Sequence, residues 1–489
     1  MNRAVRRISI AALVMFVLLL ANVNYLQAFE AGGLGSKPGN SRAFTAQFQY
    51  QRGDITTSDG KVVALSKSVG GIYKYQREYP LGPEYAPVTG YDALYGSSGI
   101  EAAENSYLTG DSSKLAVRNV IDMITNKTRK GATVQLTIDS NAQNAAWNAL
   151  QATGKPGAVV ALNPQTGAIL AMASYPSYDP NGLAILNGSE SNAYDKKLLL
   201  EPGNLLLNRA TSATFPPGST FKVVTSSAAF TQGNYNPQTL VSAPTSLQLP
   251  QSNVNLINND GEQCGTLGNG KATIMTAFTE SCNTAFANLG MQLGSATLKS
   301  MAEKYGFNTP DLTIPLPVAQ SNFPLEPAES FTAMSAIGQK DDTVTPLQEA
   351  MIAATIANNG TLMRPYLVQQ VQAADLSIVD QAAPTGMSQP VSATVAAEIK
   401  NMMVSVVNSP DGTASAFKNA IPGVQIAGKT GTAQNGANNS GLNDAVFTSF
   451  ASSGNRSMAV GVIIQGGGYG AAAAAPIAVQ VLKAYLENG

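Results

Sequence analysis

The sequence predicts an α+β protein: an antiparallel sheet flanked by helices, with an added helical region, preceded by a small β-containing module and an N-terminal membrane helix. Three observations lead to this prediction. The N-terminus is apolar, the next stretch is polar with short strand-like runs, and strand-like and helical patterns are mixed over the long remainder. At 489 residues the chain also exceeds what one hydrophobic core usually covers, which favours more than one folded unit.

The first element is an apolar run over residues 8–21 that follows three arginines among the first seven residues. Together with the apolar residues that continue to Phe29, the segment approaches the ~20 residues that a spanning helix requires. A cleaved signal peptide is the alternative, but no small-x-small cleavage site follows the run. We therefore expect a cytoplasmic start and an uncleaved membrane anchor over residues 1–29. Because positive flanks remain inside, everything after it would lie on the extracytoplasmic side.

The next segment, residues 30–152, is polar and rich in turn signals, with strand-like runs at 61–66 and 132–138. It predicts a small extended module that contains β-structure.

The remainder, residues 153–489, begins with two apolar runs joined by NPQTG, which is typical of a hairpin. Helical patterns at 345–360 and 391–407 are followed by three strand-like runs and a closing helix. The two hairpin runs cover residues 158–162 and 168–173. The late strand-like runs cover 424–434, 446–453 and 457–465, and the closing helix covers 475–488. Early hairpin strands, central helices and late strands together predict the flanked antiparallel sheet.

Composition excludes several classes of function. The chain contains no histidine, so Ser-His-Asp and Cys-His catalysis and histidine-bearing metal sites are impossible. Its 30 basic and 31 acidic residues give a net charge of -1, which provides no general field for nucleic acid. We expect no metal, no cofactor and no nucleic-acid partner.

Two cysteines, Cys264 and Cys282, are too few to make a zinc site alone. In an exported protein they could form a disulfide that closes a short loop. Free buried thiols are the alternative, and the residues alone leave both open.

The stretch TFPPGSTFKVV places a hydroxyl and a lysine, Ser219 and Lys222, at the start of an apolar helix. Residues three apart lie on one face of a helix, so the two side chains are expected to be neighbours. Without histidine, a lysine that loses roughly 3 pKa units by burial beside a second cation is a suitable base for a serine nucleophile. Pro216, Pro217 and Gly218 place Ser219 at a helix N-terminus, where developing negative charge is stabilised.

The SxxK pattern is weak alone, since Ser415 and Lys418 also match it. That copy is followed by NAIPG rather than by an apolar helix, which indicates a chance match. The first copy is followed in order by SCN at 281–283 and KTGT at 429–432, the latter inside a strand-like run. A second SxN match at 453–455 falls after KTGT and is excluded by this order.

SxxK, SxN and KTG in this order resemble the motifs of penicillin-binding proteins and serine β-lactamases. Other segments are similar to class B penicillin-binding proteins, so the resemblance covers most of the chain. These segments are RGDI (52–55), YGSSGIE (95–101), 157–181, 208–222, SCNTAF (281–286), 336–360 and AGKTGTA (427–433). The resemblance implies a transpeptidase domain of the penicillin-binding and serine β-lactamase fold over residues 153–489. It also implies a non-catalytic, dimerisation or pedestal-like module over residues 30–152.

The resemblance implies a serine D,D-transpeptidase that cross-links peptidoglycan. Ser219 would attack the penultimate D-alanine carbonyl of a stem peptide, with Lys222 as the base. Ser281 would relay a proton to the leaving amine. β-Lactams, which mimic the acyl-D-alanyl-D-alanine shape, would acylate the same serine.

The remaining motif residues are expected to bind substrate and tune the site. Asn283 would hydrogen-bond the substrate amide or the catalytic lysine, and Lys429 would hold a positive potential. Thr430 and Thr432 would bind the substrate carboxylate, while Gly431 would let an extended peptide lie flat along the strand. The backbone N–H groups of Ser219 and Thr432 would form the oxyanion hole.

Residues 30–152 are too few for a glycosyltransferase domain, so we expect a membrane glycosyltransferase and the division or elongation machinery as partners. A D,D-carboxypeptidase or β-lactamase is the first alternative, and a catalytically weak scaffold in a division or elongation complex is the second. After KTGT, Gln434 and the segment 443–447 depart from an acidic residue and a His-Ala-Trp-like segment of many relatives. We interpret Arg52 and Glu101 as structural ties within the N-terminal module.

Overall fold

The structure is a computed structural model that describes residues 3–26, 47–115, 124, 129–258, 261–325, 328–434 and 442–487. Within these residues one helix, Arg3–Tyr25, contains a stretch long and apolar enough to cross a membrane, Val5–Tyr25. Its side chains are almost all exposed, as is typical of a helix whose apolar surface is covered by something other than its own chain. The expected anchor extends to residue 29, and its last residues lie outside the described part.

The N-terminal module is built on a six-stranded sheet, called here the N-terminal sheet. The strand-like runs predicted at 61–66 and 132–138 are both strands of it. Two of its strands come from residues 368–381, much later in the chain. One of them joins the rest of the sheet by pairing Val371 with Val134. In spatial order the strands are Ile378–Gln381, Val368–Gln372, Thr133–Leu136, Ile55–Thr56, Val62–Ser68 and Tyr75–Glu78. Short helices at Gly82–Thr89, Gly99–Ala103 and Asn105–Leu108 complete the module, with a small hairpin of Asp92–Ala93 and Gly96–Ser97.

A buried ion cluster holds this module together. Arg52 donates to Glu101 Oε2 at 2.6 Å, and Arg77 donates to the other oxygen of the same carboxylate. All three side chains are nearly inaccessible to solvent. Arg52 and Glu101 therefore tie segments of the N-terminal module to one another, in agreement with the interpretation from sequence.

The second unit is built on a five-stranded antiparallel sheet, the central sheet. The predicted hairpin of residues 158–173 and the three late strands are all members of it. In spatial order its strands are Ala427–Ala433, Asp444–Ser453, Arg456–Ile464, Gly157–Leu162 and Ile169–Tyr175. Nearly every residue of the last three is buried, because helices cover both faces. The strand Ala427–Ala433, called here the KTG strand, forms one edge.

Three long helices of the described residues pack on the central sheet. Ser140–Thr153 and Ala475–Leu486 pack against each other and on the sheet, and Pro346–Ala357 packs on its three middle strands. Pro346–Ala357 comes close to the sheet at Gly461, where an added Cβ would lie 2.5 Å from Ala350 N. All but the last residue of the helix Ser140–Thr153 belong to the predicted N-terminal segment 30–152, but the helix packs with the central sheet.

A helical region lies between the second and third strands of the central sheet along the chain, as the sequence predicts. It contributes the helix Lys222–Thr231, called here the serine helix, and Asn283–Leu293, called here the SCN helix. The predicted helices at 345–360 and 391–407 are Pro346–Ala357 and Ala393–Asn408, with N-caps Thr345 and Ser392. The other α-helices of this unit in the described residues are Gly188–Leu200, Arg209–Ser212, Ile274–Thr279, Ser295–Lys304, Glu329–Ser335 and Gly470–Ala473. Small hairpins pair Leu240–Ser242 with Lys271–Thr273, Ser246–Gln248 with Asn255–Ile257, and Leu362–Met363 with Gly386–Ser388.

Candidate active site

Ser219 lies in a 3₁₀ turn, Gly218–Phe221, and the serine helix begins only at Lys222. The sequence analysis placed both residues on one α-helix. In a 3₁₀ turn residues three apart eclipse each other, so the two positions still share one side of the turn. Gly218 has φ 58 and its N–H donates to Gly338 O at 2.8 Å, a conformation that favours glycine. Ser219 is partly exposed, and its hydroxyl has no hydrogen-bond partner among the described residues.

The turn is anchored by aromatic packing behind it. The ring of Phe221 stacks on Phe323 with centroids 5.1 Å apart and meets Phe307 edge-on at 5.6 Å. All three side chains are buried. Because interior packing leaves little freedom, these rings fix where the turn presents Ser219.

Lys222 is fully buried, with its amine directed at the SCN motif. Its Nζ donates to Ser281 O at 2.7 Å and to Asn283 Oδ1 at 2.9 Å, and it lies 3.4 Å from Ser281 Oγ. The pKa of Lys222 is held well below its ordinary value by burial and by the neighbouring charge of Lys429. A neutral amine has two N–H groups, which match the two carbonyl-type acceptors, and its lone pair remains free to accept a proton.

Lys429 is also fully buried, and it reaches the same serine from the KTG strand. Its Nζ donates to Ser281 Oγ at 2.7 Å and to Thr430 O at 3.0 Å. Burial lowers the pKa of Lys429 to about 7. The Ser281 hydroxyl therefore lies between two lysine amines, and its backbone has φ 62, an uncommon conformation for serine.

The two cysteines are joined by a disulfide, with sulfurs 2.05 Å apart. Cys282 lies between Ser281 and Asn283, so the bond ties the SCN motif to the loop that carries Cys264. Glu280 Oε2 accepts from Gly265 N at 2.7 Å in the same place. Cys264, Cys282 and Glu280 lie close together. Because the two sulfurs are joined in a disulfide, this cluster provides no thiolate ligand for a metal.

The KTG strand packs directly against the turn that carries the serine. A Cβ added at Gly218 would lie 2.8 Å from Thr432 O, and one added at Gly431 would lie 2.9 Å from Pro217 O. Gln339 Nε2 donates to Thr432 O at 3.2 Å from the neighbouring segment. Glycine at 431 is thus required by the close approach of the turn, a reason that the sequence analysis did not find.

The two threonines of KTGT differ in their surroundings. Thr430 is buried and its Oγ1 lies 2.6 Å from Thr413 Oγ1, whereas Thr432 is partly exposed. Thr413 has no place in the three motifs, and no signal in the sequence pointed to it.

Most of the segment 443–447, which departs from the pattern of relatives, lies in a strand. Asp444–Ser453 is a strand, with Thr432 opposite Ala445 and Ala433 opposite Asp444. The side chain of Asp444 is buried and accepts from Gly466 N at 2.8 Å. Residues 435–441 lie outside the described part. Most of the departing segment 443–447 therefore belongs to the central sheet, where residues 444–447 are all buried.

Sequence reasoning missed two polar residues: Thr220, within the turn Gly218–Phe221 that we call the serine turn, and Glu349, which contacts it. Thr220 Oγ1 lies 2.8 Å from Glu349 Oε1, and both side chains are fully buried. One signal was present: Glu349 is a charged residue type in the middle of a strongly apolar helical pattern.

The chance matches to the motifs lie elsewhere. Ser415 begins a short 3₁₀ segment and Lys418 is exposed to solvent. Residues 453–455 form the turn between two strands of the central sheet. The exposed Lys418 contrasts with Lys222 and Lys429, which are fully buried.

Comparisons with known proteins show the family to which the chain belongs. Residues 157–483 match the family described as "Penicillin binding protein transpeptidase domain", and residues 52–134 match "Penicillin binding protein A dimerisation domain". "Peptidoglycan D,D-transpeptidase PbpA" of Mycolicibacterium smegmatis is 42% identical over 100% of both chains. The Mycobacterium tuberculosis protein of the same name is 40% identical, also over 100% of both chains.

The structure is similar to that of penicillin-binding protein A from M. tuberculosis in its ceftriaxone acyl-enzyme complex. The TM-score is 0.86 at 39% identity, and the match covers 90% of this chain and 100% of the other. The N-terminal module, PYLV at 365–368 and the cysteine pair predict a particular likeness to actinobacterial penicillin-binding protein A, which these comparisons confirm. The chain belongs to the class B penicillin-binding proteins.

Proposed function

We propose that the chain is a peptidoglycan D,D-transpeptidase in which Ser219 is the nucleophile. The observation that carries this proposal is the hydroxyl of Ser281 between two fully buried lysine amines, at 2.7 Å from Lys429 Nζ and 3.4 Å from Lys222 Nζ. Buried amines with lowered pKa values can exchange protons near neutral pH, which acyl transfer requires. The names of the relatives support the same reaction.

In acylation, Ser219 Oγ attacks the penultimate D-alanine carbonyl while its proton passes to the neutral amine of Lys222. The tetrahedral intermediate collapses by breaking the C–N bond. Ser281 carries a proton from the amine of Lys222 to the leaving nitrogen, and the terminal D-alanine departs. An amine of a second stem peptide then attacks the acyl-enzyme, and the same groups return the proton to Ser219.

Substrate recognition falls to the edge of the KTG strand. Lys429 supplies a positive charge, Thr430 and Thr432 supply hydroxyls for the terminal carboxylate, and Asn283 orients the substrate amide and Lys222. The N–H groups of Ser219 and Thr432 form the oxyanion hole, because the turn and the strand are in contact at this point. Each such donor is worth about 3 to 4 kcal/mol in other acyl-transfer enzymes. β-Lactams are expected to acylate Ser219 by the same geometry.

The chain would be anchored by the helix Arg3–Tyr25 with its start in the cytoplasm, because the arginines precede the apolar stretch. We assign residues 1–29 to the anchor, and we move the start of the transpeptidase unit from residue 153 to Ser140. This change follows from the packing of the helix Ser140–Thr153 on the central sheet. Strand polymerisation would come from a membrane glycosyltransferase, within the division or elongation machinery.

A hydrolytic relative would need a general base that activates water. Glu349 contacts the residue next to Ser219, but it is fully buried and burial raises its pKa to about 8. A carboxyl that is largely protonated near neutral pH is a poor base, which favours transfer to an amine over hydrolysis.

The test is mass spectrometry of the full chain after treatment with penicillin. We expect one penicilloyl adduct on the peptide that contains Ser219, lost in Ser219→Ala and strongly slowed in Lys222→Ala. Ser415→Ala is the matched control, because it removes the serine of the chance SxxK copy and is expected to leave the adduct unchanged. An adduct that persists in Ser219→Ala would contradict the proposal.

A second measurement separates the reaction classes. The chain is incubated with polymerised glycan strands that carry D-Ala-D-Ala stem peptides. A transpeptidase releases D-alanine together with cross-linked stem peptides, whereas a carboxypeptidase releases D-alanine and shortened single stems. A scaffold releases neither.

A further inference from the structure

The residue after the nucleophile takes part in two short hydrogen bonds that its own proton cannot satisfy. Thr220 Oγ1 lies 2.8 Å from Pro217 O and 2.8 Å from Glu349 Oε1. A hydroxyl has one proton, and a backbone carbonyl can only accept. If Glu349 were ionised, one of these contacts would join two acceptors without a proton. A protonated carboxyl supplies the missing proton.

The surroundings of Glu349 hold it in this place. Its helix meets the central sheet at Gly461, where an added Cβ would lie 2.8 Å from Glu349 Cβ. Thr448 Oγ1 donates to Glu349 O at 2.6 Å from the adjacent strand. The second carboxyl oxygen is buried and has no hydrogen-bond partner among the described residues. A buried unpartnered carboxylate oxygen is expensive, whereas a protonated carboxyl carries less charge to solvate.

Burial is the main influence on the ionisation of Glu349, and it raises the pKa to about 8 while the Thr220 hydrogen bond opposes the rise. In the described part of the chain, the polar group in contact with the carboxyl is the hydroxyl of Thr220 on the serine turn, whereas Thr448 on the adjacent strand donates to the backbone carbonyl of Glu349. No charged side chain of the described residues enters this balance. The pKa agrees with the protonation that the two contacts require.

The bonds end on the turn that carries the nucleophile. Pro217 precedes Gly218 and Ser219, and Thr220 follows them, so the pair of bonds spans the turn. The same two residues face the KTG strand, since a Cβ added at Gly431 would lie 2.9 Å from Pro217 O and 3.1 Å from Thr220 Cγ2. A shift of Thr220 would therefore move Ser219 and change the contact between the serine turn and the KTG strand.

We propose that Glu349 is a positioning residue that works in its protonated form: its carboxyl donates to Thr220 Oγ1, Thr220 donates to Pro217 O, and this chain sets the turn that presents Ser219. The inference rests on the proposed function, because the turn matters only if Ser219 is the nucleophile. Glu349 does not touch the reacting atoms, and it acts through Thr220.

Four variants of the full chain in detergent test the proposal. Glu349→Gln keeps a donor for Thr220, and Glu349→Leu removes it at similar volume. Thr220→Ser keeps the hydroxyl, and Thr220→Val removes it with the same shape. Stopped-flow labelling with a fluorescent penicillin yields the acylation rate constant and the apparent binding constant separately, from pH 6 to pH 10.

We expect Glu349→Gln and Thr220→Ser to acylate within about threefold of wild type at pH 7. Glu349→Leu and Thr220→Val should lose roughly 10- to 100-fold in the acylation rate constant, with the binding constant little changed, as small displacements of a nucleophile do. Above about pH 8 the wild type should lose an additional factor as Glu349 ionises. The ratio of the Glu349→Gln rate constant to that of wild type should therefore rise with pH, and Lys429, common to both proteins, cancels from it.

Three results would overturn the proposal. Equal damage in Glu349→Gln and Glu349→Leu would mean that the carboxylate itself is required. Wild-type acylation in both Glu349→Leu and Thr220→Val would mean that the contact is only structural, and a flat ratio of rate constants across pH would exclude the protonated donor. If Glu349→Leu does not fold, Thr220→Val tests the same chain of bonds. Absence of a Ser219 adduct in the wild type would instead contradict the proposed function.

Discussion

Replacing the buried cation of the KTG strand should stabilise the protein while it abolishes acylation. The perturbation is Lys429→Met, which keeps a long unbranched side chain and removes the charge. Lys429 is fully buried, and burial moves its pKa from 10.5 to about 7. A group buried for catalysis is expected to oppose folding, which is the trade-off seen at many active sites.

The magnitude follows from proton linkage. Between pH 7 and pH 10.5 the unfolded chain binds a proton at this lysine that the folded chain has largely lost, so the stability contributed by Lys429 rises with pH. One pKa unit corresponds to about 1.4 kcal/mol, so the ionisation of Lys429 opposes folding by about 4 kcal/mol at pH 7. The variant loses hydrogen bonds to Ser281 Oγ and Thr430 O, worth about 1 kcal/mol each. The net gain in stability at pH 7 is therefore about 2 kcal/mol.

The assay is denaturant unfolding of wild type and variant at pH 7 and pH 9, followed by circular dichroism. All other titrating groups are shared, so the difference between the two proteins reports Lys429 together with its effect on the pKa of Lys222. The stability advantage of Lys429→Met over wild type should shrink by about 2 kcal/mol from pH 7 to pH 9. Over this range the unfolded wild type keeps the proton on Lys429 that the folded wild type has largely lost, so wild type gains stability with pH. A variant that is less stable than wild type by the same amount at both pH values would refute the reasoning.

Further predictions concern the SCN motif and the serine turn. Asn283→Ala removes an acceptor of the buried Lys222 amine, and we expect penicillin acylation at pH 7 to slow by about 5- to 100-fold; an unchanged rate would contradict the assigned contact. Cys282→Ser opens the disulfide beside Ser281, and we expect unfolding free energy to fall by roughly 3 kcal/mol, with a reducing agent having this effect on wild type and none on the variant. Gly338→Ala would place a Cβ 2.1 Å from the carbonyl oxygen before the nucleophile, at φ +72, and acylation should slow at least about tenfold; rates equal to wild type would show that the turn is not held there.

Local patterns were sufficient for much of the fold. The hairpin of residues 158–173 and the late strands contain apolar runs, and the helices Pro346–Ala357 and Ala393–Asn408 begin at capping residues. The strands at 368–381 were missed because the run VQQVQ is short and polar, and its partner strand is more than two hundred residues earlier. Such long-range pairing leaves no local signal.

The site was predictable in its residues and less so in its geometry. Ser219 and Lys222 were predicted because a chain without histidine leaves few bases for a serine nucleophile, and Ser281 and Lys429 because the ordered motifs resemble those of the penicillin-binding proteins. The hydrogen bonds of Lys222 to the SCN motif, the contact of Thr430 with Thr413 and the buried Glu349 depend on tertiary packing. The requirement for glycine at 431 also arises from tertiary contact, because Pro217 O occupies the space of a side chain.

The central claim is that the amine of Lys222 is uncharged before reaction and that Ser219 depends on it. The most direct measurement is a titration of the chain with ¹⁵N-labelled lysine side chains by NMR, with Lys222→Arg to assign the signal. We expect the Lys222 resonance to show a neutral amine at pH 7, because burial and the charge of Lys429 both lower its pKa. A resonance that stays charged up to pH 10 would contradict the account.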